Sequence, residues 1–436
     1  MAALSWKRWL DLPALLCTPV GRVQIRGGAL HRGWPITSLF LELYRRTLLR
    51  KTRVVAVTGS YGKSTTMRAV RAALGERVRR QLPGNHKDGL TRAVCLLRPW
   101  DVNAVMEIGI DGPGQMRSMA RVARPEIAVV TCIGSEHNRS LKTLETTRNE
   151  KAELVRALPA SGRAVLNGDD EHVRWMAGQT KAGTVFFGFG PENEIRASQV
   201  ELEWPNRMRL RIETPRGNRT VQVRLTGRYM VYPVLAAVAV ALEEGCDLDE
   251  CLERLAELKP TLGRMETRPL DNGALLLCDY YKSSYETVTA ALEVFGQLPA
   301  KRRIVVMGEI SEPPGSQGPI YREIGKRIAQ ASSRAVFVGH NFQRYKAGAT
   351  RAGMPASALV DAGGSWSLAV DAIRDDLGPG DVVLIKGRDV QRLDRIALAL
   401  QGRPVGCGIA FCQVKEFRCH ACPMLERGWS RHTERT

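Results

Sequence analysis

Long apolar runs are absent from this sequence. The apolar stretch at residues 10–20 contains Asp11 and two prolines, whereas a membrane-spanning helix needs roughly 20 consecutive apolar residues. No small-residue cleavage site follows the stretch, so the sequence predicts neither a transmembrane helix nor a signal peptide. Internal repeats and low-complexity tracts are also lacking, which argues against a repeat array.

Acidic residues are comparatively few. The chain has 45 Asp and Glu against 64 Lys and Arg, a formal charge of +19, which suits nucleic acid, an anionic membrane surface or a phosphorylated substrate. The arginines are scattered, however, without the aromatic and basic pattern of a nucleic-acid module, so we expect no specific nucleic-acid binding. A length of 436 residues, 44% hydrophobic and 25% charged, indicates two or three globular domains.

Regular cysteine spacing is missing from most of the chain. Six of the ten cysteines lie in apolar or helical contexts, as reduced core thiols do, which favours a cytoplasmic protein. The other four crowd into the tail in the pattern Cys-x4-Cys-x6-Cys-His-Ala-Cys. Four thiolates could hold Zn²⁺ or an iron–sulfur cluster, with disulfide exchange or unconnected thiols as the alternatives. These tail residues are Cys407, Cys412, Cys419 and Cys422.

Hydrophobic periodicity predicts two α/β domains. Short β-branched runs alternate with helical stretches, as buried parallel strands do. A polar alternating stretch at residues 201–225 predicts an antiparallel hairpin. The fold class is therefore α/β, with a central doubly wound P-loop ATPase domain and a smaller C-terminal Rossmann-like domain. Strands are predicted at residues 54–58, 104–108, 127–133 and 164–167, and then at 275–279, 303–307, 335–338 and 382–386.

The N-terminal extension, residues 1–51, contains a predicted helix at residues 36–50. Docking of this helix against the next domain is the main interpretation, and a peripheral membrane-surface helix is the alternative. Its apolar residues Leu39, Phe40, Leu43 and Leu48 are followed or interleaved by the basic residues Arg45, Arg46, Arg50, Lys51 and Arg53. The other predicted boundaries are 52–268 for the ATP-binding domain, 269–403 for the C-terminal domain and 404–436 for the cysteine-rich tail.

A glycine-rich loop follows the first predicted strand. Residues 58–66 read Thr-Gly-Ser-Tyr-Gly-Lys-Ser-Thr-Thr before a predicted helix. At this position Gly59 and Gly62 let backbone amides turn inward on a polyphosphate, and the helix N-terminus adds partial positive charge. Lys63 is placed to reach the β- and γ-phosphates of ATP, and Ser64 to ligate Mg²⁺. Only two residues separate the glycines, where four are usual.

This shortened loop, which ends at Thr65, resembles that of the Mur ligase superfamily of ATP-dependent amide-forming enzymes. Further landmarks of the superfamily occur in order, and the resemblance covers about residues 52–400. It is closest to the branch that adds the terminal dipeptide to the muramyl peptide. The landmarks are Asn85 in Pro-Gly-Asn-His, Glu107 in Met-Glu-Ile-Gly, His137 in Gly-Ser-Glu-His, Lys151 in Asn-Glu-Lys-Ala-Glu, Asn167 in Asn-Gly-Asp-Asp, Arg264 in Gly-Arg-Met-Glu, Asp279 in Asp-Tyr-Tyr, and Lys386 in Lys-Gly.

The resemblance implies roles for these residues. Glu107 would hold one Mg²⁺ with Ser64, and His137 would hold a second with Lys151 carbamylated by CO₂. Taken alone, the residues also fit a surface glutamate, a structural histidine and an unmodified lysine. Lys63, Lys151 and His137 are thus the implied catalytic residues. Nucleotide contacts are implied for Gly59, Gly62, Lys63, Ser64, Thr65, Asn167, Asp169, Arg264 and Asp279, and substrate contacts for Asn85, His86, Lys282 and Lys386.

The reaction implied is the attack of a substrate carboxylate on the γ-phosphate of ATP, followed by displacement of phosphate from the acyl phosphate by an amine. The superfamily's His-Asn is replaced here by Tyr229-Met230, and its Asn-Ala-Asn-Pro by residues 282–285. The 51 residues before the loop are also fewer than a UDP-sugar domain contains. We therefore expect a non-standard substrate, such as a peptide, a polyglutamate-like chain or a specialised metabolite. The alternatives are a non-catalytic nucleotide-binding or scaffold homologue, a peptidoglycan-precursor ligase and a nucleic-acid-stimulated ATPase.

Overall fold

The computed structural model describes residues 16, 18–135, 138–205, 207–414 and 417–427. The chain divides into two compact units. One comprises Leu30–Thr261, and the other comprises Leu262–Thr436 with Met1–Ala29. Each unit is built around its own sheet, so the two units are described in turn.

Eight strands form the sheet of the first unit. They are β1 (Arg53–Thr58), β2 (Asn103–Glu107), β3 (Ile127–Val130), β4 (Arg163–Asn167), β5 (Gly183–Gly188), β6 (Ile195–Glu203), β7 (Arg207–Thr214) and β8 (Gly217–Val223). Their order is β2-β1-β3-β4-β5-β6-β7-β8. Neighbours are parallel from β2 to β6 and antiparallel from β6 to β8. β1 is buried from its second residue to its last, and four of its six residues are β-branched, with no alternation of apolar and polar residues.

Helices pack on this sheet and supply the rest of its core. Val54 and Ala56 of β1 belong to one apolar cluster, while the helix Val231–Glu243 packs against Lys63–Leu74 and against β4 to β6. The α-helices beginning before residue 262 are Pro19–Arg32, Trp34–Arg46, Lys63–Leu74, Lys87–Leu96, Gln115–Ala123, Asn138–Leu141, Leu144–Arg156, Glu171–Arg174, Val231–Glu243 and Leu248–Ala256. Short 3₁₀ turns lie at Gly75–Arg77, Trp175–Gln179 and Arg228–Met230.

The second unit contains a six-stranded sheet. Its strands are β9 (Glu266–Pro269), β10 (Leu275–Asp279), β11 (Arg302–Met307), β12 (Arg334–Phe337), β13 (Leu359–Asp361) and β14 (Asp381–Lys386). They lie in the order β13-β12-β11-β14-β10-β9, with only β9 antiparallel to its neighbour among these strands. The helices are Tyr285–Gln297, Gln317–Ala331, Phe342–Arg351, Trp366–Asp371 and Asp394–Leu400, with 3₁₀ turns at Ala356–Ala358, Arg374–Asp376, Asp389–Gln391 and Cys419–Ala421.

The predicted α/β fold is confirmed, with two local corrections. The polar region predicted as one hairpin forms three strands, because the chain also turns at Trp204–Pro205 between β6 and β7. The N-terminal helix spans Trp34–Arg46 and packs against Lys87–Leu96 and Gln115–Ala123. Its packed side chains include Trp34 and Leu41, however, and the apolar residues expected to dock it are exposed. Among the described residues, no helix has the length and apolar character needed to cross a bilayer.

Candidate active site

The loop between β1 and the helix Lys63–Leu74 has a backbone that favours glycine. Gly59 has a φ of 141° and Gly62 a φ of 80°, both in the region that L side chains rarely adopt. A Cβ atom on Gly59 would lie 1.9 Å from Thr131 Oγ1. The loop therefore packs closely against the end of β3. The helix N-terminus that follows Gly62 is the kind of site that binds phosphate.

Replacement of Gly59 by alanine tests this close approach. The added methyl group would meet Thr131 and strain the backbone, so we expect the Kd for ATP to rise at least about tenfold. Titration calorimetry with ATP would measure the change. Gly178→Ala is the matched control, because no atom lies within 4 Å of its added Cβ. Unchanged ATP affinity in Gly59→Ala would contradict the role of this loop.

Two lysines meet at the carbonyl oxygen of Gly59. Lys63 Nζ donates to this oxygen at 2.8 Å and to Ser60 O at 3.1 Å. Lys151, on the helix Leu144–Arg156, is 1% exposed, and its Nζ donates to the same Gly59 oxygen at 3.0 Å. Burial, reinforced by the charge of Lys63, holds the pKa of Lys151 well below its ordinary value, although Glu107 opposes the shift. The positive charge at the loop therefore belongs to Lys63, whereas Lys151 is biased toward its neutral amine.

A hydroxyl and a carboxylate lie side by side next to this loop. Ser64 Oγ, in the first turn of the helix, donates to Glu107 Oε2 at 2.7 Å. Glu107 is the last residue of β2 and is buried, and the parallel register pairs it with Val57 of β1. Hydroxyl and carboxylate oxygens are ligands that Mg²⁺ prefers. These two residues therefore fit a magnesium ion at the phosphate loop.

Asn85 lies beside Glu107 in a strained conformation. Its φ is 102°, which is uncommon for a residue other than glycine and is typical of functional positions. The backbone of Asn85 bonds to Glu107 O at 3.1 Å and to Gly109 N at 2.7 Å. Its Oδ1 atom is buried without a hydrogen-bond partner. The next residue, His86, is the N-cap of the helix Lys87–Leu96. Of the four predicted substrate residues, Asn85 therefore lies beside Glu107, and His86 follows it in the chain.

Asn167 and Asp169 form hydrogen bonds at the ends of the strands. Both residues were predicted to face the nucleotide base. Asn167 Nδ2 donates to Thr131 O at 2.8 Å. Asp169 accepts hydrogen bonds from Phe189 N at 2.6 Å, Gly190 N at 3.0 Å, Asn193 Nδ2 at 2.8 Å and Tyr232 Oη at 3.0 Å. The phenol of Tyr232 is held neutral, since burial and Asp169 raise its pKa. Asp169 thus holds Phe189 and Tyr232 together. Their rings pack edge to face, with 5.2 Å between the ring centroids.

Predicted site residues also cluster in the second unit, at the carboxyl ends of β10 and β14. Lys386 Nζ forms an ion pair with Asp279 Oδ2 at 2.7 Å, and both side chains are buried. The lysine also donates to the carbonyl oxygen of Lys282. Burial lowers the pKa of Lys386, while Asp279 opposes the shift and Arg264 adds to it. Asp279, Lys386 and the backbone of Lys282 are therefore near neighbours, and Arg264 is close enough to affect the pKa of Lys386.

The remaining predicted residues fall in different places. Thr65 is buried and shares a 3.1 Å hydrogen bond with Thr261 Oγ1, so its side chain packs the loop helix within the first unit. His137 lies outside the described residues. Thr131 was not predicted, yet it touches the loop at Gly59 and donates to Tyr61 O at 2.5 Å. Its position at the end of β3, parallel to β1, is the sequence signal that could have identified it.

The tail cysteines surround a small cavity without forming a metal site. Arg392 and Arg395, both nearly fully buried, line this cavity of about 20 Å³ with the four thiols. Arg395 Nη1 donates to Cys407 O at 3.0 Å, and Arg392 donates to Val414 O. Burial raises the pKa of Cys419 and Cys422 and so favours neutral thiols. In the described part of the chain no group of three or more His, Cys, Asp and Glu side chains is arranged to hold a metal. The prediction of zinc or an iron–sulfur cluster, at Cys407, Cys412, Cys419 and Cys422, is therefore not supported.

A parallel α/β sheet with a glycine-rich loop after β1, followed by Lys63 and Ser64 at a helix N-terminus, defines a P-loop nucleotide-binding protein. Comparison with known families is more specific. Residues 57–241 match the Mur ligase middle domain, and residues 263–388 match the glutamate ligase domain of Mur ligases. The chain therefore belongs to the Mur ligase family and is an ATP-dependent ligase that forms amide bonds.

Relatives match most of the chain. UDP-N-acetylmuramoyl-tripeptide–D-alanyl-D-alanine ligase of Mycobacterium tuberculosis (strain H37Rv) is 27% identical over 426 residues, covering 90% of this chain and 83% of that enzyme. The enzyme of the same name from Escherichia coli (strain K12) is 29% identical over 296 residues, covering 66% and 64%. Among solved structures, MurF from Acinetobacter baumannii has a TM-score of 0.74 at 23% identity over 84% of this chain and 81% of that chain. MurF ligase from Thermotoga maritima in complex with ADP has a TM-score of 0.73 at 21% identity over 84% and 83%. The fold is therefore shared with these enzymes.

Proposed function

We propose that this chain joins a substrate carboxylate to an amine through an acyl phosphate, with Lys63 and Lys151 beside the transferred phosphate. The observation that carries the proposal is their shared contact with Gly59 O, at 2.8 and 3.0 Å. The positive charge of Lys63, fixed beside the phosphate-binding loop, stabilises the charge that spreads over the phosphate oxygens during transfer. Because positioning and electrostatics suffice for this chemistry, the site needs no nucleophilic side chain.

The proposed bond changes balance without a further reactant. A carboxylate oxygen bonds to the γ-phosphorus of ATP and the bond to ADP breaks. The amine nitrogen then bonds to the acyl carbon, phosphate leaves with the original carboxylate oxygen, and the amine proton is released. Asn85, whose Oδ1 is buried and unpartnered next to Glu107, is the residue we assign to substrate binding.

Ser64 and Glu107 are the residues we assign to the first Mg²⁺, and Lys151 with His137 to a second. When bound, Mg²⁺ supplies positive charge to phosphate oxygens. Lys151 can join a metal site only as an anion. Its lowered pKa supports this assignment, because the neutral amine is the form that bonds to the carbon of CO₂ and loses a proton to become a carbamate.

The lowered pKa of Lys151 predicts how its removal changes stability. Unfolding in CO₂-free buffer returns the amine to its ordinary pKa of 10.5, so the unfolded chain binds more protons between the two pKa values. Stability therefore rises with pH across that window. We expect Lys151→Met to melt at a higher temperature than wild type at pH 7, with the difference shrinking toward pH 10. Calorimetric melting would measure it. Lys181→Met, at an exposed position, is the control, and a lower melting temperature for Lys151→Met would contradict the shift.

We propose that this chain acts in the cytoplasm and that its substrate pair is non-standard, with a peptide or a polyglutamate-like chain as one substrate. Two regions support an altered specificity. Met230 is buried at the start of the helix Val231–Glu243, where the superfamily has asparagine. Ser284 caps the helix Tyr285–Gln297, so the altered segment still starts this helix. Lys282, whose carbonyl oxygen accepts a hydrogen bond from Lys386, adds a cation to the segment. A cation here favours an amine substrate that also carries a carboxylate.

Ligation of a UDP-N-acetylmuramoyl-tripeptide to D-alanyl-D-alanine is the second candidate. It is favoured by relatives of that name, which are 27% identical over 90% of this chain. The test is to incubate the protein with ATP and each acyl–amine pair, and to measure ADP release and amide product by mass spectrometry. We expect glutamyl peptides with amino acids to give product and the UDP pair to give little. Fastest turnover of the UDP pair would establish the second candidate, while no ADP with any pair would contradict both.

A further inference from the structure

The N-terminal helix Trp34–Arg46 is anchored firmly to the first unit along one side. Trp34 and Leu41 are buried in the main apolar cluster, and Trp34 Nε1 donates to Ser118 Oγ at 3.3 Å. Arg45 is also buried, and its guanidinium donates to Ala123 O at 3.1 Å and to Leu49 O at 2.8 Å. These contacts fix which side of the helix faces the protein and which side faces solvent.

The solvent side of the helix is apolar as well. Its four large side chains recur at intervals of three and four residues, which places them on one side of a helix. We call these four side chains the exposed apolar face. More than half of the surface of each one is exposed. The face consists of Ile36 (66% exposed), Leu39 (62%), Phe40 (69%) and Leu43 (59%). A scattered surface leucine is ordinary in a folded protein, whereas an uninterrupted apolar row on one helix marks an interaction surface.

A second exposed apolar segment lies beside the helix. Tyr44 Oη donates to Leu97 O at 3.1 Å, which ties the helix to the loop between Lys87–Leu96 and β2. That loop carries Trp100 and Val102, which are 63% and 62% exposed. Tryptophan is enriched where proteins meet the boundary between lipid and water.

The chain segment that carries the exposed apolar face has few acidic residues. From residue 30 to residue 53, Glu42 is the only acidic residue, and its carboxylate is paired with Arg46 at 2.5 Å and Arg121 at 3.6 Å. Arg50 and Lys51 follow on the exposed turn after the helix. Apolar residues bordered by cations suit a surface that offers hydrocarbon under a layer of anions.

We propose that the exposed apolar face binds the surface of an anionic lipid bilayer, with the helix lying in the interface. The charge pattern favours lipid over a second copy of this chain, because two copies placed face to face would bring like cations together. The proposal is independent of the ligase substrate. It would place the protein at a membrane surface.

Vesicle co-sedimentation of the full chain tests the proposal, with phosphatidylglycerol and phosphatidylcholine vesicles compared at low salt. The test variant combines Leu39→Gln, Phe40→Gln and Leu43→Gln. The matched control combines Leu144→Gln, Leu202→Gln and Leu368→Gln, which alter exposed leucines elsewhere. We expect wild type and the control to bind phosphatidylglycerol vesicles alike, and the test variant to lose at least about tenfold in partitioning. Added salt should weaken the binding of wild type.

Several results would overturn the proposal. Wild type that stays in the supernatant with phosphatidylglycerol vesicles, or binds phosphatidylcholine equally well, does not recognise an anionic surface. Equal loss in the matched control would show that the exposed apolar face is not involved. A dimer in light scattering that the test variant alone disrupts would show that a second copy covers the face. ATP binding, measured in parallel, reports that each variant is folded, so a failed vesicle test leaves the proposed ligase function unaffected.

Discussion

Alanine in place of Lys63 is expected to lower kcat/KM for ADP formation roughly 10³-fold. Lys63 Nζ lies at the phosphate loop, 2.8 Å from Gly59 O, where its charge stabilises the phosphate oxygens. The loss arises in the transition state, so kcat should fall as well as the affinity for ATP. Steady-state kinetics with the acyl–amine pair that gives product would measure both constants.

Lys181→Ala is the appropriate control for this loss, because Lys181 is an exposed lysine of the same unit. It should turn over ATP at the rate of wild type. A Lys63→Ala enzyme with kcat within a few-fold of wild type would mean that the lysine is not placed to act on the phosphate.

The second large effect is expected at Lys151. Lys151→Ala should reduce ligation by about 10²-fold or more, because removal of the amine also removes the carbamate that we propose. Millimolar acetate or propionate should restore part of the activity, since a small carboxylate can occupy the vacated volume. Rates of amide formation with and without the added carboxylate would be compared.

Removal of CO₂ provides an independent arm of this experiment. Wild type in degassed buffer should lose activity and recover it on addition of bicarbonate, whereas Lys151→Ala should not respond to bicarbonate. Full activity of Lys151→Ala without any added carboxylate would exclude the carbamate. That result would leave Lys151 as a structural lysine beneath the loop.

Much of the fold follows from the sequence because its central strands are short, buried and β-branched. β1 illustrates this, since five consecutive buried residues leave little alternative to a parallel strand. β5, β9 and β13 were not predicted, and the last two lack such a pattern. β13 has only three residues, and β9 is a partly exposed edge strand that ends in proline. Periodicity needs a longer run than either of these provides.

The candidate site was predictable where residues lie in a motif at the end of a strand, as Glu107 does in β2, or in the loop and helix that follow a strand, as Ser64 does. It was less predictable where function depends on backbone conformation or on contacts distant in sequence. The φ of Asn85 cannot be seen in its residue type. Likewise, the four hydrogen bonds that Asp169 accepts come from residues 20 to 63 positions away, so its bracing role emerges only in three dimensions.

The N-terminal helix shows a different limit of sequence reasoning. A helix with apolar residues all around can dock through either side, and periodicity does not decide which side is buried. In the structure Trp34, Leu41 and Arg45 are buried, whereas the residues that were expected to dock the helix are exposed. Domain docking is thereby assigned to one side of the helix, and the membrane contact that we propose would use the opposite side.

The most direct test of the central claim follows an oxygen atom. The acyl substrate is labelled with ¹⁸O in its reacting carboxylate and incubated with ATP and the amine, and the released phosphate is analysed by mass spectrometry. An acyl phosphate predicts ADP as the nucleotide product and one ¹⁸O atom in phosphate for each amide bond formed. Phosphate without ¹⁸O, or AMP carrying the label, would contradict the mechanism that we assign to this site.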